Sequence, residues 1–354
     1  MIEHASGDQN KPTGFRSDYI SESKRLAKRG RCLHFDAGNK CNKIIAAHSI
    51  QCRRQLALIA EGGHVYQLTA DPSVMRNANG VPCLKKIGIK IVSTFSGFCK
   101  AHDNSLFQSI DNELLMPNEY QAALYAYRSI CRELFVKENA VLTLDKFRSD
   151  RRLERHKRSI LQASYDGNSM GLRWLQHHKK IFDEAFFNKS FEDFRYVCFT
   201  SSSPCPLVLS GLLYPDFDFH GGFLQHLGVD QASLDLITFF TAPTRDGWAF
   251  CFAWHESSNQ SCQSFITSLA NKIASGEKLE DNLLRFSLTC CENHAIRISW
   301  WDSLTDKEKQ ELIHRMHMMI LPDVPVPHDY LSKGCEGIAG WTFTHVFKSP
   351  DNKT

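Results

Sequence analysis

A chain of 354 residues with 42% hydrophobic and 11% aromatic content has ample apolar mass for packed cores. That excludes global disorder, and the length points to two or three domains. The formal charge of +3 is nearly neutral, so a nucleic-acid partner has to be met by local basic patches rather than by the whole molecule's charge.

Residues 1–30 are polar, and no apolar run is long enough to cross a membrane, so neither a signal peptide nor a span is expected. With no export signal, the thirteen cysteines are expected to be thiols in the cytoplasm. Residues 1–16 read as loose around Gly7, Pro12 and Gly14, and Ser17–Arg29 reads as a short basic helix. Gly38 and Asn39 mark a turn between Cys32 and Cys41. Asn42–Ala47 reads as a short strand. A helix from Ile50 to Ala60 follows, capped by Ser49 and stopped by Gly62-Gly63. Strands are expected over His64–Leu68 and Leu84–Val92, separated by a Pro/Asn/Gly-rich connection. A helix is expected from Phe98 to Ile110.

From Asn118 to Asn188 the apolar residues recur at helical spacing, as in Tyr120, Leu124, Tyr127, Cys131 and Leu134. Within this region Arg148, Arg151, Arg152, Arg155, Lys157 and Arg158 form a dense basic stretch. It reads either as a solvated face or as a track for a phosphate backbone. Beyond it, strands are expected at Phe194–Thr200, Cys205–Ser210, Leu234–Phe240 and Trp248–Trp254. The Thr244–Gly247 connection argues for antiparallel pairing. Helices near 260–274, 280–289 and 305–319 complete an α+β domain, with an irregular tail from Pro322.

Cys32, Cys41, Cys99 and His102 form the one clustered Cys/His set. Zinc in a structural role takes four such ligands in a closed tetrahedron. Cys99 and His102, three residues apart, share a helical face. The alternative is ordinary core thiols and a surface histidine.

These residues, with Ile44-Ile-Ala-Ala-His48-Ser-Ile-Gln51 between them, resemble the treble-clef HNH endonucleases over roughly residues 30–112. The resemblance implies a ββα-metal domain, with His48 at the family's general-base position. It also puts Asp103 where the family places a metal-binding histidine. Ala47 stands where the family usually carries an acidic residue or histidine that binds the catalytic metal. Asp103 would then hold Mg²⁺ with water, since Mg²⁺ often uses only one or two carboxylates, or Asp36 would supply a second carboxylate.

Elsewhere, Asp216 and Asp218 read as a polar turn or a cation site. Glu292-Asn293-His294 reads as a turn, and Trp300 and Trp301 as core aromatics or base-stacking rings. No P-loop, dinucleotide fingerprint or nucleophile elbow is present. The expected organisation is a basic segment over 1–30, a zinc-stabilised HNH-like domain over 31–115 and a helical segment over 116–190. An α+β domain with a mainly antiparallel sheet over 191–321 and the tail over 322–354 complete it. The expected function is a metal-dependent nuclease acting on DNA or RNA, of the kind found in phage defence, with structural Zn²⁺, catalytic Mg²⁺ and a protein partner for the C-terminal domain. The alternative is a zinc-stabilised binding module without catalysis.

Overall fold

The computed structural model describes residues 14–69, 83–228, 233–318 and 326–350. The loose start, the connection before Leu84 and the beginning of the tail fall wholly or partly outside these residues. Helix α1 (Phe15–Lys28) leads to strand β1 (Ile44–His48). A π-turn at Cys52–Leu56 runs into the short helix α2 (Ala57–Ile59). Strands β2 (His64–Thr69), β3 (Cys83–Gly88) and β4 (Thr94–Cys99) precede helices α3 (Lys100–Asp111), α4 (Glu119–Phe147) and α5 (Arg155–Asn188). Strands β5 (Phe194–Ser201), β6 (Leu207–Leu213), β7 (Ile237–Thr244) and β8 (Gly247–His255) come next. They are followed by α6 (Asn259–Ala274), α7 (Leu279–Cys290), β9 (His294–Ile296), α8 (Ile298–Ser303), α9 (Asp306–Met318) and β10 (His345–Lys348). The chain is α+β with antiparallel sheets.

The larger sheet has the order β10-β5-β8-β7-β6-β9-β2-β3 and is buried on both faces at its centre. Alternation along β8 shows how. Trp248, Phe250, Phe252 and Trp254 point to one core with α6 and α7, while Ala249, Cys251 and Ala253 point to another with α4 and α5. The small side chains let α4 lie close against the sheet, and residues 121–131 of that helix are buried all round. This helix is the spine between the sheet and the smaller β1–β4 unit.

Several expectations are corrected. Phe98 and Cys99 end strand β4, and the helix begins at Lys100. The strand expected to reach Val92 stops at Gly88, because the chain must turn to bring β4 antiparallel to β1. Ser49 does not cap a helix. Its hydroxyl meets Ser93 and Asn293, and the cap is the Gln51 side chain, which accepts from the Arg54 and Gln55 N–H groups. The tail is not wholly irregular, since Tyr330, Leu331, Cys335 and Trp341 are buried and β10 pairs with β5. Strands β2 and β3 belong to the large sheet through β9, so that sheet draws on residues on both sides of the 115/116 and 190/191 boundaries. The cysteines are not all thiols. Cys198 and Cys251 face each other across β5 and β8 with Cα atoms 4.1 Å apart and are joined in a disulfide, because direct cross-strand opposition puts their sulfurs together. No described helix is long and apolar enough to cross a membrane.

Candidate metal centre

Strands β1 and β4 pair from Ile44↔Cys99 to His48↔Thr94, with an irregularity between Ile45 and Ala47. Helix α3 leaves β4 without a loop, giving a ββα unit. Cys99 is its N-cap, and its sulfur accepts from the His102 N–H at 3.5 Å. The preceding loop is held to the same unit by bonds from the Arg31 and Leu33 N–H groups to the Ser96 and Gly97 carbonyls. Gly38, at φ +96°, makes the turn that carries Cys41 back, and its N–H reaches the Cys41 sulfur at 3.3 Å. A left-handed residue is needed there, which favours glycine.

The turn and the ββα unit together bring Cys32, Cys41, Cys99 and His102 into one group, with all four ligand atoms within 4.8 Å of one another. His102 Nδ1 lies 3.3, 3.5 and 3.4 Å from the sulfurs of Cys32, Cys41 and Cys99. A tetrahedral zinc ion with bonds of roughly 2.3 Å to sulfur and 2.0–2.1 Å to nitrogen requires sulfur–nitrogen edges of about 3.5 Å. The group therefore fits a metal ion such as zinc. Burial pushes the Cys32 thiol up to about 11. For Cys99 burial acts in the same direction but is outweighed by N–H groups of Asn42 and His102, and its pKa is lowered. The His102 ring is stacked on His34, with centroids 4.0 Å apart and planes 5° from parallel. Beneath them the Tyr127 hydroxyl donates to Asp183 at 2.6 Å and lies 3.2 Å from the Leu33 carbonyl, tying the ligand loop to α4 and α5.

His48 and Asp103 line a cavity of about 510 Å³ on the other side of the ββα unit, with Asn104, Gln108, Asp111 and Arg128. Successive helical residues point about 100° apart, so His102 faces the ligand group while Asp103 faces the cavity. His48 lies 3.2 Å through Nε2 from the Ile89 carbonyl. A carbonyl only accepts, so Nε2 carries the proton and Nδ1 keeps its lone pair. Burial lowers the His48 pKa, favouring that neutral form. Burial raises the Asp103 pKa, partly offset by Arg128. Asp36 lies in the ligand loop, where its side chain accepts from Asn39, and does not line this cavity.

Arg128 was not singled out by the sequence. It is buried, forms a two-pronged pair with Asp111 at 2.8 and 2.9 Å and lies 4.0 Å above the Phe107 ring. The available signal was a charge set among Leu124, Tyr127 and Cys131 on an apolar helical stripe.

The basic stretch spans the turn between α4 and α5. Arg148 pairs with Asp145, Arg152 with Asp150 and Asp18, and Lys157 with Glu154. Among the described residues, no ion pair involves Arg151, Arg155 or Arg158. Asp218 accepts from the His220 and Gly222 N–H groups, the pattern of a polar turn. Trp301 is buried. The Glu292–His294 segment leads into β9, where Asn293 donates to Ser49 and to the Ser210 carbonyl.

Comparison with protein-family models, with curated proteins and with solved structures finds no match for the chain.

Proposed function

We propose that this protein is a metal-dependent nuclease of HNH-like type, in which the Cys32, Cys41, Cys99 and His102 group holds a structural zinc ion. The observation that carries the reading is the meeting of His48 and Asp103 in one cavity on a ββα unit braced by a zinc-type ligand set. His48 acts as general base. Its Nδ1 takes a proton from water attacking a phosphodiester, while the Ile89 carbonyl holds the ring through Nε2. The lowered pKa keeps the base unprotonated at neutral pH. Asp103, with Asn104 and Gln108 beside it, suits Mg²⁺, which takes few carboxylates and completes its shell with water and phosphate oxygens. Held there, such an ion would supply stabilisation of negative charge on the phosphate and on the leaving oxygen. The Asp103 carboxyl is raised by burial, an unfavourable state that a nearby cation relieves.

A specific observation favours a second reading, a zinc-stabilised nucleic-acid-binding module without catalysis. Ala47 offers no ligand, and Asp111, the other carboxylate of the cavity, is engaged by Arg128. A divalent-ion-dependent cleavage assay on DNA and RNA decides between them. His48→Ala should slow cleavage by about 10²–10⁴-fold. Cleavage surviving in that variant would refute the mechanism, and binding without cleavage by the wild-type protein would establish the second reading.

A further inference from the structure

Three cavities lie along α4, the first towards Arg128 and the other two side by side across its 132–136–140 stripe. The first is that of His48 and Asp103, with Arg128 in its wall. The second, about 510 Å³, lies between α1, β4 and α4 and shares Ala46 with the first. The third, about 300 Å³, shares Arg132, Val136 and Ala140 with the second. Residues 128, 132, 136 and 140 recur every fourth position, so one stripe of a single helix lines all three. From 128 to 140 that stripe extends about 18 Å.

The chemistry along this trough is specific. Lys24 and Lys28, one turn apart on α1, line the second cavity and are exposed. Among the described residues neither makes an ion pair, whereas Arg25 and Lys146 nearby are both taken up by Glu22. Of the rings lining the same cavity, Tyr19 is half-buried, whereas Phe95 and Phe135 belong to the core and the Arg31 guanidinium lies over Phe135. Exposed cations one helical turn apart with the Tyr19 ring beside them suit the phosphates and a base of a single nucleic-acid strand. The basic turn between α4 and α5 differs in that three of its six cations are already paired with carboxylates.

We infer that the trough under α1 is the path of a single-stranded nucleic acid, leading a phosphodiester to the His48/Asp103 cavity past Ala46. This rests on the nuclease reading for its direction, while binding itself is independent of cleavage. An acidic protein segment would use the lysines but would have no need of a cavity that joins the His48/Asp103 cavity at Ala46.

The test is fluorescence anisotropy with labelled single-stranded DNA, single-stranded RNA and a duplex, on His48→Ala protein without added divalent ion. Adding Lys24→Glu and Lys28→Glu should weaken single-strand binding about tenfold or more. It should also lower the slope of log affinity against log salt by about 1.4, the loss of two single-strand phosphate contacts. Arg148→Gln with Lys157→Gln, whose cations are already paired with Asp145 and Glu154, should change affinity less than about threefold. Unchanged affinity in the lysine variant, tighter binding of the duplex than of the single strand, or no binding of any nucleic acid would overturn the inference. Cleavage by otherwise wild-type protein separates the two ideas. A protein that cleaves but ignores the lysine reversal refutes the trough and leaves the nuclease. One that binds single strands through the lysines but never cleaves refutes the nuclease and leaves the trough.

Discussion

Substituting Cys41 by serine isolates the metal from the packing around it. Cys41 is exposed, and its sulfur meets the Gly38 N–H, the His102 ring and the sulfurs of Cys32 and Cys99, so the variant opens no core cavity. Cys99, fully buried in the core, lacks that advantage. Zinc at a thousandfold excess over its Kd stabilises a folded site by about 4 kcal/mol. In a chain of this size each kcal/mol moves the melting midpoint by about 2 °C, so removing the metal should lower it by roughly 8 °C. Cys41→Ser should melt within about 0.5 kcal/mol of the chelated wild-type protein, as expected of an exposed substitution outside the core. Metal analysis of the purified protein should give one zinc per chain, lost in the variant. A wild-type protein that carries no metal, or a variant that melts like untreated wild type, would refute the ligand assignment.

Two further outcomes concern stability. Asp111→Asn leaves the Arg128 guanidinium, with a side chain only 3% exposed, without its counter-charge and should destabilise by about 3 kcal/mol in urea unfolding. Adding Arg128→Met should recover most of that loss, because a pair removed whole costs less than a pair broken. His178 is buried, and burial lowers its pKa to about 4. A depressed folded-state pKa contributes stability that is complete above the ordinary histidine value near 6.5. That stability is lost as pH falls towards 4, by up to about 3 kcal/mol. His178→Gln should flatten the pH dependence of the melting midpoint over that interval, and an unchanged slope would exclude the assignment.

Local spacing was enough to read part of the molecule. The three-residue spacing of Cys99 and His102 pointed to a shared site, though on a different ground: Cys99 ends a strand and caps the helix, and its sulfur accepts from the His102 N–H. The turn residues between Cys32 and Cys41 forecast the return of the chain that brings the sulfurs together, the apolar runs of β5, β7 and β8 announced strands, and the Thr244–Gly247 connection announced their antiparallel pairing. What spacing does not carry is the partner of each element, since the energy of a long-range pairing resides in two distant segments at once. Only the tertiary structure joined β2 and β3 to β9, set Cys198 against Cys251, and laid α1 along α4 to roof a trough. It also placed Arg128, which the helical pattern shows merely as a charge in an apolar stripe, beside Asp111, because burying that charge requires a carboxylate supplied by another helix.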